Sequence, residues 1–151
     1  MLDALQMFAP DELLQVSNSG WSIQDILAHV ANAEILNVKF ARLMLETDKP
    51  IQVREVAAEF PDFTGPFELD RFNAYMTKKL RAQSLAQVLE TLNQTRAATM
   101  AWLDLVTPEQ LERTGQHAAW SEQTLRGMLK ILIIHDKAHT QEIVKRARPR
   151  V

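Results

Sequence analysis

Residues 21–46 read WSIQDILAHVANAEILNVKFARLMLE, and this stretch decides the fold class. Its apolar side chains recur at spacings of three and four residues, which is the period of an amphipathic helix. Ser22 and Asp25 form a Ser-x-x-Asp capping box, and Trp21 can pack on the first turn as a hydrophobic staple. We therefore expect a helix from Ser22 to about Glu46. Its inward-facing stripe is Ile26, His29, Ala33, Leu36, Phe40 and Leu43.

The rest of the chain shows the same helical period between proline-bearing loops. Strand-like alternation is scarce, and only four glycines are present. Trp120 and Ser121 repeat the Trp-Ser pattern of the first helix, so the last helix is expected to begin directly after Ser121. The sequence thus predicts an all-α four-helix bundle, formed by a single domain over residues 1–151. The further predicted helices span about 68–81, 85–105 and 122–148.

Two segments depart from this regular pattern. Residues 47–67 are interrupted by prolines and predict a long crossover between the first two long helices. Its aromatic rings either anchor the crossover to the core or belong to a lid over a site, and anchoring is favoured. The rings of the crossover are Phe60, Phe63 and Phe67.

The second irregular segment is the N-terminus. Residues 2–8 resemble only the last two turns of a helix.

Composition excludes several classes of protein. The formal net charge is −2 and no polybasic run is present, so neither nucleic acid nor a membrane surface is an expected partner. The chain has no cysteine, which excludes disulfides, thiolate ligands and a cysteine nucleophile. No apolar stretch approaches the ~20 residues of a membrane span, and the first residues do not resemble a secretory signal. A cytoplasmic location is expected.

Three of the four histidines fall on inward-facing helical stripes. His135 and His139 lie one turn apart in the last predicted helix, and His29 lies on the stripe of the first. If these helices face each other, three imidazoles converge, and such a set can hold a divalent ion with positions left open. Zinc, nickel, iron and manganese all remain candidates, because imidazole discriminates weakly among them. The alternative is that the histidines are hydrogen-bonded core residues.

Glu142 lies three residues after His139 and therefore shares its helix face. It is the candidate catalytic residue, either as a general base, as a fourth ligand or as an acceptor for an imidazole N–H. The alternative is a surface glutamate paired with Arg146 at i+4. Asp136 is expected to contact a ligand's surroundings or lie at the surface, rather than bind the metal. His117 could reach the mouth of the site, but an exposed loop position is favoured. Glu34 lies off the stripe of the first helix and is assigned no role.

Two sequence motifs resemble the signatures of DinB/YfiT-like proteins. The first is residues 21–30, WSIQDILAHV, followed by Glu34, and the second is His135-Asp136-x-x-His139-x-x-x-Ile143. The resemblance implies a four-helix bundle that binds a metal through three histidines, which carry over to His29, His135 and His139. The family includes thiol-dependent transferases and isomerases, and proteins linked to toxin or DNA-damage resistance. A small-molecule substrate, a low-molecular-weight thiol, and zinc or nickel ahead of iron or manganese are therefore expected.

The chain departs from the family pattern at two places. Glu142 stands where the family often has glutamine, so the charge beside the site is different. The family's first helix usually has about five turns, and here it is shortened. An exposed apolar strip is therefore expected, covered either by a second copy in a homodimer or by residues 1–20 packing irregularly.

Two functions follow from these features. The first is a divalent-metal-dependent enzyme with transferase, isomerase or hydrolase chemistry, in which the ion activates a water or thiol. The second is a non-catalytic, metal-stabilised bundle that sequesters a small molecule in stress or toxin resistance. Metal content distinguishes both from a bundle whose histidines bind nothing.

Overall fold

The computed structural model describes residues 1–17, 20–61, 67–117 and 121–147, without the side chains of residues 77, 79 and 80. Helices dominate the described residues, as the sequence predicts, and the departure is one small hairpin. The helices are α1 (Leu2–Leu5), α2 (Ile23–Glu46), α3 (Val53–Val56), α4 (Leu69–Leu80), α5 (Leu85–Leu103) and α6 (Leu125–Ala147). Short 3-10 turns span Glu12–Leu14 and Gln110–Glu112, and the strands are β1 (Thr114–His117) and β2 (Ser121–Thr124).

Helix α2 begins and ends where its sequence predicts. Ser22 Oγ accepts a hydrogen bond from Asp25 N at 3.0 Å, and Asp25 Oδ2 accepts one from Ser22 N at 2.8 Å. The capping box is therefore confirmed. The predicted stripe is only one side of the buried surface, because Leu27 and Ala41, off that stripe, are also fully buried. A helix that is apolar on several sides must be surrounded by others.

Three helices surround α2 and contact it directly, namely α4, α5 and α6. Helix α5 runs beside α2 in the same direction, because their first residues lie together. Gln24, in the first turn of α2, donates to the backbone oxygen of Gln83, just before α5, at 2.8 Å. Helix α6 runs in the opposite direction, because Arg146 near its end donates to Trp21 O at 2.9 Å. The start of α6 packs at the other end of α2, where Phe40 and Met44 share a cluster with Leu125 and Met128. This antiparallel arrangement brings the middle of α6 against the first turns of α2.

The crossover is anchored by aromatic rings, as its composition indicates. Phe60 is 5% exposed, and its ring centroid lies 5.1 Å from that of Phe72 on α4. Phe67 contacts the same Phe72 ring at 5.5 Å. Phe63 lies outside the described residues. The rings therefore secure α3 and its neighbours over one side of the bundle.

The predicted start of α6 was wrong. Residues 121–124 pair antiparallel with residues 114–117 as a hairpin, and the helix begins only at Leu125. Thr124, rather than Ser121, supplies the cap: its Oγ1 accepts a hydrogen bond from Gly127 N at 3.0 Å. Trp120 lies outside the described residues.

The N-terminal segment packs irregularly against the bundle. Helix α1 is a single turn, and Ala4 and Leu13 join a buried cluster with residues of α2, α5 and α6. Apolar side chains nevertheless remain exposed on α5 and α6, with Met100 54% and Ile133 67% exposed. Residues 1–17 therefore cover only part of the apolar strip that the shortened first helix is expected to leave exposed. In the described part of the chain, no helix is both long and apolar enough to cross a membrane.

Candidate metal centre

Helices α2 and α6 bring His29, His135 and His139 together. One ring nitrogen from each lies within 4.8 Å of the others, and Nε2 of His29 is 2.9 Å from Nε2 of His135. Two imidazole nitrogens at this distance need a shared proton or a shared cation, because their lone pairs otherwise repel. The antiparallel packing of α2 against α6 produces this convergence. The stripes predicted it on the condition that the two helices face each other, and the family resemblance implied the same three residues.

The cluster has the chemistry that a divalent ion requires. A tetrahedral ion with nitrogen ligands at ~2.0–2.1 Å holds those nitrogens about 3.3 Å apart, within the range seen here. Metal ligation needs neutral imidazole. Burial, and to a lesser extent the neighbouring His135 and His139, lower the pKa of His29 to about 3. Burial also lowers the pKa of His135, with His139 adding to the effect and Asp136 opposing it. The donor set therefore fits a metal ion.

Glu142 contacts the outer side of this cluster. Its Oε2 lies 3.2 Å from Nδ1 of His139, and its Oε1 forms an ion pair with Arg146. With Nδ1 facing Glu142, His139 has Nε2 left to face the other two rings. The structure thus shows both the imidazole contact and the Arg146 pair that the sequence offered as alternatives.

Trp21 has a second role besides starting α2. Its ring meets His29 edge-on, with centroids 5.1 Å apart and planes at 79°. Arg146 fixes the backbone beside it by donating to Trp21 O at 2.9 Å. The Trp-Ser motif therefore supports the histidine about two turns later, which capping alone did not indicate.

Glu34 lies outside the histidine cluster, as the sequence predicted, but its burial in an ion pair was not predicted. Glu34 is 4% exposed, and Arg96 Nε lies 3.0 and 2.9 Å from its two carboxylate oxygens. Arg96 also pairs with Asp136, next to His135, and hydrogen bonds to Glu34 raise the pKa of Arg96 further. One guanidinium thus connects the two helices that carry the histidines. The missed signal is that Glu34 is in phase with Ile26, Val30 and Val38, which are all buried.

A cavity of about 310 Å³ opens beside the cluster and reaches His29 and His135. His117 also lines it and packs edge-on against Phe40, with centroids 4.8 Å apart. Burial lowers the pKa of His117 to about 4, so the expected exposed loop position was wrong. The hairpin, absent from the sequence prediction, turns this side chain inward. The remaining walls come from α2, the α3 region, α4 and α6, including Leu36, Val56, Phe72 and Leu132.

A family model places these features in a known group: the DinB superfamily matches residues 1–143. The chain belongs to the DinB superfamily. Among solved structures it is similar to YfiT from Bacillus subtilis, with a TM-score of 0.68 and 18% identity. The alignment covers 95% of this chain and 77% of that one. YfiT is described as a probable metal-dependent hydrolase with an unusual four-helix bundle topology. Comparison with curated proteins gives no match.

Membership of the DinB superfamily confirms the resemblance drawn from the two motifs. The likeness to YfiT shows that the bundle topology is shared. Together with the three-histidine cluster, the metal-dependent neighbour suggests a divalent metal for this DinB superfamily chain.

Proposed function

We propose that this chain is a divalent-metal-dependent enzyme. His29, His135 and His139 hold the ion, and the adjoining cavity admits a small-molecule substrate. The observation that carries the proposal is the convergence of three imidazoles, two of which, His29 and His135, line that cavity. Three nitrogen ligands leave coordination positions open, as reactive sites require. Zinc and nickel are the first candidates for the ion, ahead of iron and manganese.

A divalent ion at such a set supplies Lewis acidity, which lowers the pKa of a water or thiol nucleophile toward neutrality. The description of YfiT as a probable metal-dependent hydrolase supports hydrolysis. Transfer or isomerisation with a low-molecular-weight thiol is the variant that the family resemblance suggests. In either case His29 stays neutral near pH 7, because burial, with the neighbouring His135 and His139, lowers its pKa to about 3.

Glu142 fits a positioning role best. One of its oxygens faces Nδ1 of His139 and the other is held by Arg146. A carboxylate in this position fixes which nitrogen of the ring carries the proton and how the ring is oriented. It therefore acts through His139, and direct proton transfer by Glu142 is the secondary candidate.

Metal content tests the site directly. Protein purified without a histidine tag should contain or take up about one equivalent of Zn²⁺ or Ni²⁺, measured by elemental analysis after desalting. His135→Ala should abolish this uptake. His117→Ala is the matched control, because His117 lines the same cavity but lies outside the cluster, and it should leave uptake intact. Less than about a tenth of an equivalent in the unmodified chain, with none gained on addition, rules the proposal out.

The alternative is a metal-stabilised protein that sequesters a small molecule without converting it. The cavity beside the cluster suits either function, so turnover decides between them. Metal-loaded protein should hydrolyse at least one member of a panel of esters and amides, or join a thiol to an electrophile. His139→Ala should abolish that activity. Binding of panel members without turnover supports sequestration instead.

A further inference from the structure

The cavity beside the cluster differs from its surroundings in charge. None of the described residues that line it is an aspartate, glutamate, lysine or arginine. Its walls are mainly aliphatic and aromatic, and burial lowers the pKa of His117, a histidine of the lining outside the cluster, to about 4. That imidazole is therefore neutral near pH 7. The polar groups of the lining, apart from the histidines, are amides: Asn32, Asn37, Gln52 and Asn73.

A second cavity, of about 380 Å³, provides a contrast within the same molecule. It lies between α1, α5 and α6 and is lined by Asp3, Arg96 and Asp136. Arg96 there already pairs with Glu34 and Asp136. Charged side chains thus collect in one cavity and, among the described residues, are missing from the other.

Asn37 offers a neutral hydrogen-bonding group in the wall of the first cavity. The residue is 9% exposed, and its Nδ2 donates to Ala33 O at 2.7 Å. This hydrogen bond fixes the orientation of the amide. Its Oδ1 is buried and has no hydrogen-bond partner among the described residues. Because this oxygen is inaccessible to solvent, a ligand could reach it only if the side chain moved, and the amide adds no charge to the wall.

We infer that the first cavity binds a neutral, largely apolar small molecule. In the metal-free chain, burying a charged group here would cost its hydration, and no described residue of the lining supplies an opposite charge to replace it. An anionic ligand is therefore disfavoured in the metal-free cavity, and an uncharged, apolar one is favoured. The identification of this ligand as the substrate rests on the proposed function, whereas the binding preference needs no metal.

Two dyes that differ by one charge test the preference. N-phenyl-1-naphthylamine is neutral and carries an N–H, and 1-anilinonaphthalene-8-sulfonate is the same molecule with a sulfonate. Fluorescence titration of the full chain should give a Kd for the neutral dye at least ~10-fold lower than for the sulfonate. Equal or tighter binding of the sulfonate overturns the inference.

Variants locate the binding. Ala33→Phe, which fills the cavity, should weaken the neutral dye at least ~10-fold, while the exposed control Ile133→Ala should not. Asn73→Lys adds a positive charge to the wall and should shift the preference toward the sulfonate. This variant tests the location of binding if Ala33→Phe does not fold. Unchanged binding of both dyes in the folded cavity variants overturns the inference.

A last variant separates this inference from the proposed function. His139 belongs to the histidine cluster but is not among the residues lining the cavity. His139→Ala should therefore lose metal uptake and keep the preference for the neutral dye. If the unmodified chain takes up no metal yet prefers the neutral dye, the proposed function fails and the cavity assignment stands. If the unmodified chain takes up metal and shows no preference for the neutral dye, the cavity assignment fails and the proposed metal site stands.

Discussion

At the scale of single residues, burial determines how the histidine of the hairpin titrates. The pKa of His117 is lowered to about 4 in the folded chain, against about 6.5 when unfolded. The unfolded chain therefore binds the proton first as the pH falls, and stability is lost as it does so. Between pH 6.5 and 4 the free energy of unfolding should drop by about 1–2 kcal/mol from this residue, after allowance for its partial exposure.

Urea unfolding at several pH values measures this loss. His117→Gln removes the titrating group and should flatten the profile over that window by the same amount. Other groups that titrate there cancel in the comparison of the two proteins. A profile of His117→Gln that is parallel to that of the unmodified chain contradicts the assignment of His117 to a buried wall.

Glu142 is the residue at which this chain differs from the family pattern, and its contacts make the difference testable. Glu142→Gln keeps an oxygen that can accept from His139 Nδ1 but loses the charge paired with Arg146. Metal stoichiometry should be retained while affinity falls about 10-fold, measured by competition with a chromophoric chelator. Glu90→Gln, which alters a surface glutamate bonded to Gln94, is the matched control. Equal affinity of Glu142→Gln and the unmodified chain would show that the carboxylate does not position the ring.

At the scale of elements, local signals were predicted well and long-range partners were not. Helix α2 could be read from residues 21–46 because its cap and its apolar period are both local. The start of α6 could not be read in this way, because it depends on residues distant in the sequence. Strand β2 forms only by pairing with β1, and Leu125 N, at the start of α6, donates to Arg113 O at 2.8 Å. Glu34 was missed for the same reason, since its partner Arg96 is 62 residues away. The histidine cluster was found because its spacing within each helix is itself a local pattern.

The cap of α6 provides a test of this boundary. Thr124 Oγ1 accepts from Gly127 N, whereas Ser121 lies in the hairpin with a positive φ of 58°. Thr124→Ala should therefore lower the free energy of unfolding by about 1 kcal/mol, as loss of an N-cap does. Ser121→Ala should change it by much less. Urea unfolding measures both changes. A larger loss for Ser121→Ala than for Thr124→Ala would support a helix that begins after Ser121, as the Trp-Ser motif predicts.

The link between α2, α5 and α6 depends on Arg96. Arg96→Met leaves the buried carboxylate of Glu34 without its partner, which should destabilise the chain by about 2–4 kcal/mol. Removing both charges with Glu34→Gln and Arg96→Met together should recover much of the loss, because no buried charge remains. Arg126→Met, which breaks the exposed pair with Glu112, should cost at most about 0.5 kcal/mol. A loss for Arg96→Met no larger than for Arg126→Met would mean that Glu34 is solvated.

At the scale of the whole molecule, the bundle is open on one side. Helices α5 and α6 both pack on α2, and α1 is one turn long, so it covers only part of the surface between them. Exposed apolar side chains stay on both helices, including Met100 and Ile133. The homodimer stays a prediction, and this open side is its expected interface.

A cytoplasmic location and the lack of a nucleic-acid partner also stay predictions.

Molar mass in solution tests the homodimer. Light scattering coupled to gel filtration at micromolar concentration should give twice the 17.2 kDa of one chain. Ile133→Glu should give the mass of one chain, because a carboxylate would have to be buried in an apolar interface. Val16→Glu alters a similarly exposed apolar residue in the N-terminal segment and should leave the dimer intact. A monomer for the unmodified chain would mean that residues 1–17 suffice to cover the bundle, and that the exposed isoleucines are tolerated as isolated surface residues.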